Sequence, residues 1–436
     1  MKTCLFLILP YPSHYMSCFA LARELKSKGF KIVFTGNQKS LENLVRQNGF
    51  DYLNMSYQTE YSIGNFKDFL SLFVLSVLEK ASLLERYRFF YKYVIEVQRI
   101  IEITHFDAVF IDAHLYQYYF YLKSEKYKMF LINTKLKTSE QGNNPPLNTS
   151  YLANPTLISK FINKVLWLKV SLGHFYSSLK SKLAFLGKDD DFFMKRFCEK
   201  NNIDYKASIN RKNVLYFGLK NVKRILLAPE YLDAFVEKDP INDLYVCLEY
   251  NRDEFFTEQY ISFKNVIINA KNQGIKIILC SFGTVLNERN NIKVLFLDKL
   301  NQAIEGENYT LIVVSKVPNI IKDKNNNVHI FSSVPQLDLL QQCDLMIHHA
   351  GMNTIKECLQ FQVPMLIYTP KKNSADRLGN AARIKFNSLG VVGNIYKDNS
   401  AQIKENIKKA IAIKIPKQNF EEEYNKVHKF IEEELF

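Results

Sequence analysis

The chain has 436 residues, enough for two domains with substantial cores, and its 47% hydrophobic and 23% charged residues exclude a disordered chain. The 33 Phe and 25 Tyr against a single Trp favour large apolar cores and an apolar cleft. Lys and Arg number 58 against 44 Asp and Glu, a formal charge of +14 that suits polyphosphate ligands or anionic membrane surfaces; nucleic acid lacks support without an RNP-type signature or zinc-finger spacing.

Residues 1–9, MKTCLFLIL, imitate a signal peptide, but Pro10 and Pro12 follow at once without a small-residue cleavage site, so a first core strand over Cys4–Leu9 is expected. An amphipathic helix over Ser17–Lys28, ended by Gly29, and a strand over Lys31–Thr35 complete a βαβ unit. Further strands are predicted at Ala108–Ile111 and Met129–Ile132, and this alternation implies a parallel, doubly wound sheet. Between them 66–103 and 156–186 are helical in period and rich in Phe, Leu and Tyr, candidates for an acceptor pocket. A first domain of 1–243 and a connection over 244–275 lead to a second α/β domain of 276–417. Its strands are predicted at Lys276–Phe282, Tyr309–Val314, Val328–Phe331, Asp344–Ile347, Met365–Tyr368 and Val391–Ile395. A final acidic amphipathic helix covers Phe420–Phe436. No stretch reaches 18 uninterrupted apolar residues, so no spanning helix is expected. Seven Cys without a C-x-x-C pair indicate a reducing compartment, hence a cytoplasmic protein, and His348 and His349 between Cys343 and Cys358 fit no common zinc spacing.

The segment Ile347–Arg383 is the most informative. A short apolar strand ends at two histidines, Gly351 permits a close turn, and a helix is expected to start at Asn353 and Thr354. Such a start offers unpaired N–H groups and the positive end of the helix dipole, which stabilise a pyrophosphate without a metal. His349, Asn353 and Thr354 would add side-chain donors. A capping box between Thr354 and Glu357 is the alternative that needs no ligand.

This segment resembles the donor signature of the UDP-glycosyltransferases, the family 1 glycosyltransferases, through Pro335, Gln336, His349, Gly351, Asn353, Thr354, Glu357, Pro364, Asp376, Asn380 and Ala381. The bacterial macrolide and carotenoid enzymes are nearest in length and motif. The resemblance implies a GT-B fold: two facing Rossmann-like domains, with the C-terminal helix crossing back to the first. It implies that His349, Asn353 and Thr354 hold the diphosphate, that Glu357 takes the ribose hydroxyls, and that Asp376 takes sugar hydroxyls. Ser281 and Thr284, in CSFGTV, are expected as further phosphate contacts, and Val334, Gln336 and Gly351 complete the donor set. Three positions depart from the pattern. Arg377 replaces a sugar-contacting Gln, offering only donors and a fixed charge; Ser333 replaces a base-stacking Trp, leaving uridine and thymidine donors open; Gln362 replaces a Gly.

In the first domain, His14 lies in PYPSHYMS at the carboxyl end of the first strand, where α/β ligands bind, and the family places its catalytic histidine in this loop. A neutral imidazole near a helix start serves as a base. Asp112, at the end of its strand, is positioned to orient it; Asp107 is expected at the wrong end of that strand, and His114 as a pocket residue. The expected reaction is inverting transfer of a hexose, most simply glucose, from a UDP-sugar to a hydroxyl of an apolar or aromatic small molecule, with no metal and no cofactor beyond the nucleotide-sugar. Asp189, Asp190 and Asp191 contain a D-x-D but are read as a solvated cluster in a polar loop. Two alternatives stand beside this reading. One is a transferase acting on a lipid at an anionic membrane surface, suggested by Lys160, Lys164, Lys169, Lys180 and Lys182 around Leu166, Trp167, Leu168 and Phe175. The other is a nucleotide-sugar-binding protein without turnover.

Overall fold

The structure is a computed structural model; it describes residues 2–436 except 57–65, 79–81, 123–126, 212–213, 217, 234–241, 252–253, 255, 284–290, 318–319, 322–323 and 371–375. The first half contains strands β1 (Thr3–Leu7), β2 (Lys31–Gly36), β3 (Asp51–Asn54), β4 (Ala108–Asp112), β5 (Lys128–Asn133), β6 (Ile209–Asn210), β7 (Gly218–Leu219), β8 (Arg224–Leu226) and β9 (Asp243–Tyr245). Seven of them form one sheet in the order β3-β2-β1-β4-β5-β8-β9, every pair parallel; β6 and β7 form a small antiparallel pair. The second half holds β10 (Lys276–Ser281), β11 (Tyr309–Val314), β12 (Val328–Phe331), β13 (Leu345–His348), β14 (Met365–Ile367) and β15 (Gly390–Val392), parallel throughout in the order β12-β11-β10-β13-β14-β15. Such strands are apolar on both faces because helices cover both. β1, β4 and β10 accordingly read as near-continuous buried runs.

Both sheets reverse strand order between their first and fourth strands, at β1/β4 and at β10/β13. The loops there part to opposite faces of the sheet and leave a crevice, the place where open α/β sheets bind ligands. His14 follows β1 and Asp112 ends β4; Ser281 ends β10, and His348 ends β13 in register with it.

An aromatic ladder ties the first core together. Phe34, Phe6, Phe110 and Phe130 occupy matched positions on β2, β1, β4 and β5, with neighbouring ring centroids 4.7 to 5.3 Å apart. Phe430, from the last helix (Phe420–Glu434), closes the ladder edge-on against Phe130 at 5.0 Å. Val427, Ile431 and Leu435 enter the same core, and His428 bonds Glu24 at 2.5 Å. The acidic tail therefore crosses back to the first domain, as the resemblance implied.

Three element boundaries differ from the sequence reading. The first helix starts at Pro12 rather than Ser17, because proline at the first helical position has no N–H to leave unpaired. Its first turn therefore includes His14, which is helical and not in a loop. The segment 244–275 is largely structured: Tyr245 ends β9, and a helix over Glu258–Asn272 buries Tyr260, Phe263 and Ile267 in the second core. Asp189–Asp191 are not a solvated loop cluster. Asp189 is the buried N-cap of a helix over Asp190–Lys200, accepting the Phe192 amide, and Asp191 pairs with Arg211 and Lys195.

Candidate active site

The first half-site is built on Asp112. Its Oδ2 lies 2.6 Å from Nδ1 of His14, and its Oδ1 accepts both the backbone amide and Nδ1 of His114 at 2.9 Å. Asp112 is 1% exposed, and burial alone would raise its pKa. The charge of His14 and the hydrogen bonds from both histidines outweigh that and hold the carboxyl well below the ordinary range. A carboxylate in this state can only accept, so Nδ1 of His14 carries a proton, and in the neutral ring the lone pair is therefore on Nε2. Asp107, the rival acid, accepts the Thr3 amide at 2.7 Å, at the amino end of the sheet and away from the crevice. Burial lowers the pKa of His114, which favours the neutral ring, against the opposing pull of Asp112.

From His114 a polar chain runs towards the second domain. Its Nε2 lies 3.3 Å from Nζ of Lys135, which bonds the Tyr216 hydroxyl at 3.2 Å and stands 3.8 Å from Oδ1 of Asp376. Burial pulls the Lys135 pKa down, but Asp376, Tyr216 and Asp112 prevail and raise it, so the ammonium stays charged inside the cleft. Sequence reasoning missed Lys135 and its neighbour Thr134, 3.4 Å from His14 Nδ1. Their place just after β5, at the carboxyl end of the sheet, was the signal that identified Asp112.

The second half-site is a turn and a helix start. His349 is buried, and among the described residues its Nδ1 has no hydrogen-bond partner. Burial, together with Arg377 and His348, depresses its pKa far below the ordinary value, so the ring is neutral and holds one N–H to donate. Gly283, at φ +58°, lies so close that a Cβ there would stand 3.1 Å from the His349 ring. The strained turn is not at Gly351, as the sequence suggested: Gly351 has φ −67° and caps the helix, while Ala350 takes φ +66°. Ala350 is fixed on both sides, its amide donating to Nδ1 of His348 at 3.2 Å and its carbonyl accepting Nδ2 of Asn380 at 3.0 Å. The helix runs over Met352–Gln360, with its first bond from Ile355 to the Gly351 carbonyl, so the amides of Met352, Asn353 and Thr354 precede the intrahelical ladder. Thr354 is the third helical residue and not the cap, which removes the capping box.

Other members of the expected donor set are distributed as follows. Glu357 is buried and accepts from Nε2 of Gln336, and Val334 packs nearby on the second core. Asp376 caps the helix Arg377–Phe386 and accepts Nδ2 of Asn380 at 2.9 Å. Arg377 starts that helix, and burial lowers its pKa. Ser281 is buried at the end of β10; Thr284 lies outside the described residues. Asn353 bonds the first domain and the connection through its side chain. Its Oδ1 accepts from Ser17 Oγ at 2.6 Å and from the Tyr250 hydroxyl at 2.7 Å, and its Nδ2 donates to the Ser13 carbonyl at 2.9 Å. The side chain thus clasps the helix that bears His14, and the two half-sites meet across one cleft.

Beside His114 a cavity of about 310 Å³ opens between the helix Leu157–Ala184 and the helix Asp190–Lys200. Phe90, Tyr116, Tyr205 and Tyr216 supply aromatic walls, but His174, Ser178, Asp190 and Arg211 make it more polar than the composition suggested.

Residues 306–433 match the glycosyltransferase family 28 C-terminal domain. The uncharacterized UDP-glucosyltransferase YdhE of Bacillus subtilis (strain 168) is 32% identical over 101 residues, 22% of this chain and 25% of that protein, so the chain aligns with a quarter of this relative. Over nearly the whole chain the fold is similar to that of the glycotransferase of kitacinnamycin (TM-score 0.65, 14% identity, 99% of this chain and 94% of that one). It is also similar to the spinosyn forosaminyltransferase SpnP (0.60, 14%, 99% and 95%) and to SnogD from Streptomyces nogalater (0.56, 13%, 99% and 99%). Those identities speak for the fold alone. Over its full length the chain therefore has the GT-B fold of these enzymes, and within it residues 306–433 are similar to the glycosyltransferase family 28 C-terminal domain.

Proposed function

We propose that this protein is an inverting glycosyltransferase that moves a hexose from a nucleoside-diphosphate sugar to an acceptor hydroxyl, with His14 as general base and Asp112 as its orienting partner. The observation that carries the reading is the meeting of the two half-sites. The helix turn that holds His14 is hydrogen-bonded through Ser13 and Ser17 to Asn353, at the start of the helix whose free amides face the cleft. The acceptor O–H gives its proton to Nε2 of His14 while its oxygen bonds to the anomeric carbon. The bond from that carbon to the diphosphate breaks on the opposite face, which inverts the configuration. Charge on the departing diphosphate is met by the amides of Met352 to Thr354, by the neutral His349 and by the Lys135 ammonium across the cleft. In this reading Asp376, which accepts from Asn380 and faces Lys135, takes the sugar hydroxyls. The cavity beside His114 suits an aromatic acceptor that carries polar groups besides the reacting hydroxyl.

Both uridine and thymidine donors belong in the test, since the Bacillus relative is named a UDP-glucosyltransferase and the similar rhamnosyltransferase SpnG and glycosyltransferase VinC are described with thymidine diphosphates. UDP-glucose, UDP-N-acetylglucosamine, UDP-glucuronate and dTDP-rhamnose would be incubated with a panel of lipophilic phenols and followed by mass spectrometry, with donor hydrolysis measured without acceptor. The expected result is a glycoside of inverted anomeric configuration by NMR. A product of retained configuration would sink the single-displacement chemistry, and donor binding without turnover would point to a binding protein.

A further inference from the structure

The long helix Leu157–Ala184 is inside-out. Ser159, Asn163 and Trp167 are buried, and further along His174, Ser178 and Ser181 line the cavity beside His114. The opposite face carries Ile158, Phe161, Val165, Leu168, Leu172 and Phe175, each between 47% and 73% exposed, at alternating spacings of three and four residues that make one continuous stripe. Twenty-eight residues at 1.5 Å each make the helix about 42 Å long, and the stripe from Ile158 to Phe175 covers about 26 Å of it. The helix Phe66–Leu78 lies alongside and adds exposed Leu70, Val74 and Val77. Apolar exposure on this scale exceeds what a monomer leaves to water without a use.

Charge identifies the occupant. Residues 157–186 contain Lys160, Lys164, Lys169, Lys180 and Lys182 and no Asp or Glu. On a helical projection, Lys160, Lys164 and Lys182 border one side of the stripe and Lys169 and Lys180 the other, which is where an interfacial helix keeps its cations. A second copy of the chain would bring these lysines against their own image. Anionic headgroups would neutralise them while the stripe enters the boundary with the acyl chains. No helix among the described residues is long and apolar enough to cross a membrane, so the contact lies in the plane of the surface.

We propose that the Leu157–Ala184 helix docks this protein on an anionic lipid surface, with the apolar stripe immersed and the flanking lysines on the headgroups. This adds a partner to the proposed function without depending on it, because docking is read without turnover. The same helix then supplies one wall of the acceptor cavity, so an amphiphilic acceptor would reach His114 from the surface.

Flotation of the full-length protein with vesicles of phosphatidylcholine alone, or with about one third phosphatidylglycerol, tests it. The wild type should float with the anionic vesicles, stay down with the neutral ones, and be released at about 0.5 M salt, where screening is short-ranged. Reversal of Lys160, Lys164 and Lys169 to Glu should weaken partitioning by at least about a hundredfold, at roughly a factor of five per lysine. Leu168→Asp with Phe175→Asp should abolish it, with donor hydrolysis and circular dichroism unchanged. Wild-type protein that fails to float with anionic vesicles overturns the proposal, as does a dimer in solution that Leu168→Asp dissociates, since the stripe would then be covered by a second copy.

Discussion

Asp112 shows how one buried carboxylate can set the state of two rings. Because it holds Nδ1 of both His14 and His114, replacing it would release both, whereas replacing His14 removes only the proposed base. His14→Ala should lower kcat by about 10² to 10⁴ while donor affinity by calorimetry stays within about twofold, the signature of a group needed in the transition state. Wild-type turnover in that variant would remove His14 from its role. The buried histidines of the second half-site carry a different consequence. His348 is fully buried with a pKa lowered by burial to about 3 from its ordinary 6.5, so between those values the unfolded chain binds a proton that the folded one does not. Stability therefore rises with pH across that window and falls as the medium is acidified, by up to about 1.4 kcal/mol per pH unit for this one group. Chemical denaturation between pH 4 and 7, about where this slope acts, should show a decline that His348→Gln flattens. An identical slope in the variant would assign the acid sensitivity elsewhere.

At the scale of elements, the helix Met352–Gln360 works on two sides. Its start faces the cleft, while Asn353, Lys356 and Gln360, at i, i+3 and i+7, form a stripe against the first domain and the connection. Lys356 donates to the Leu227 carbonyl at 2.9 Å and stands over the Tyr250 ring at 4.9 Å, and Gln360 exchanges two bonds with the backbone of Tyr250. This stripe sets the separation of the His14 imidazole from the start of the helix Met352–Gln360. Asn353→Ala removes hydrogen bonds worth about 1 kcal/mol each and should lower kcat about tenfold or more with donor affinity nearly unchanged, while amide exchange in the first helix quickens. A rise in donor Kd with kcat unchanged would instead make Asn353 a phosphate ligand, the role the motif implied. The motif identified the residue; the direction of its side chain depends on Ser13, Ser17 and Tyr250, which lie at least 100 positions away in sequence.

For the whole molecule, the two domains are also joined along the helix Arg377–Phe386. Gly379 bonds the Leu147 carbonyl at 2.7 Å, and a Cβ at Gly379 would stand 2.5 Å from that oxygen, backbone against backbone. Arg383, 1% exposed, reaches Asp233 at 3.4 Å and the Pro145 carbonyl at 3.3 Å. Gly379→Ala should therefore cost about 1–3 kcal/mol by forcing this seam apart, read as a lower thermal midpoint together with reduced kcat. An unchanged midpoint would mean that the seam yields freely. The parallel strands and their alternation with helices were legible in sequence, because buried runs and helical periods are local patterns, whereas the crossing of the tail came from the family resemblance. The pairing of His14 with Asp112 was expected from the resemblance together with their places at the carboxyl ends of neighbouring strands, and the 2.6 Å contact brings the two together. Locally ambiguous features were not legible: the helix that begins at Pro12, the strain at Ala350 rather than Gly351, and the aspartates that open a helix instead of lying in water. Sequence alone determined the chemistry available at each switch point, since residue type and strand order suffice for that. Only the tertiary structure decided that the two switch points face one another, that Lys135 stands between His114 and Asp376, and that the long basic helix turns its apolar side outward, because each depends on which distant surfaces pack together.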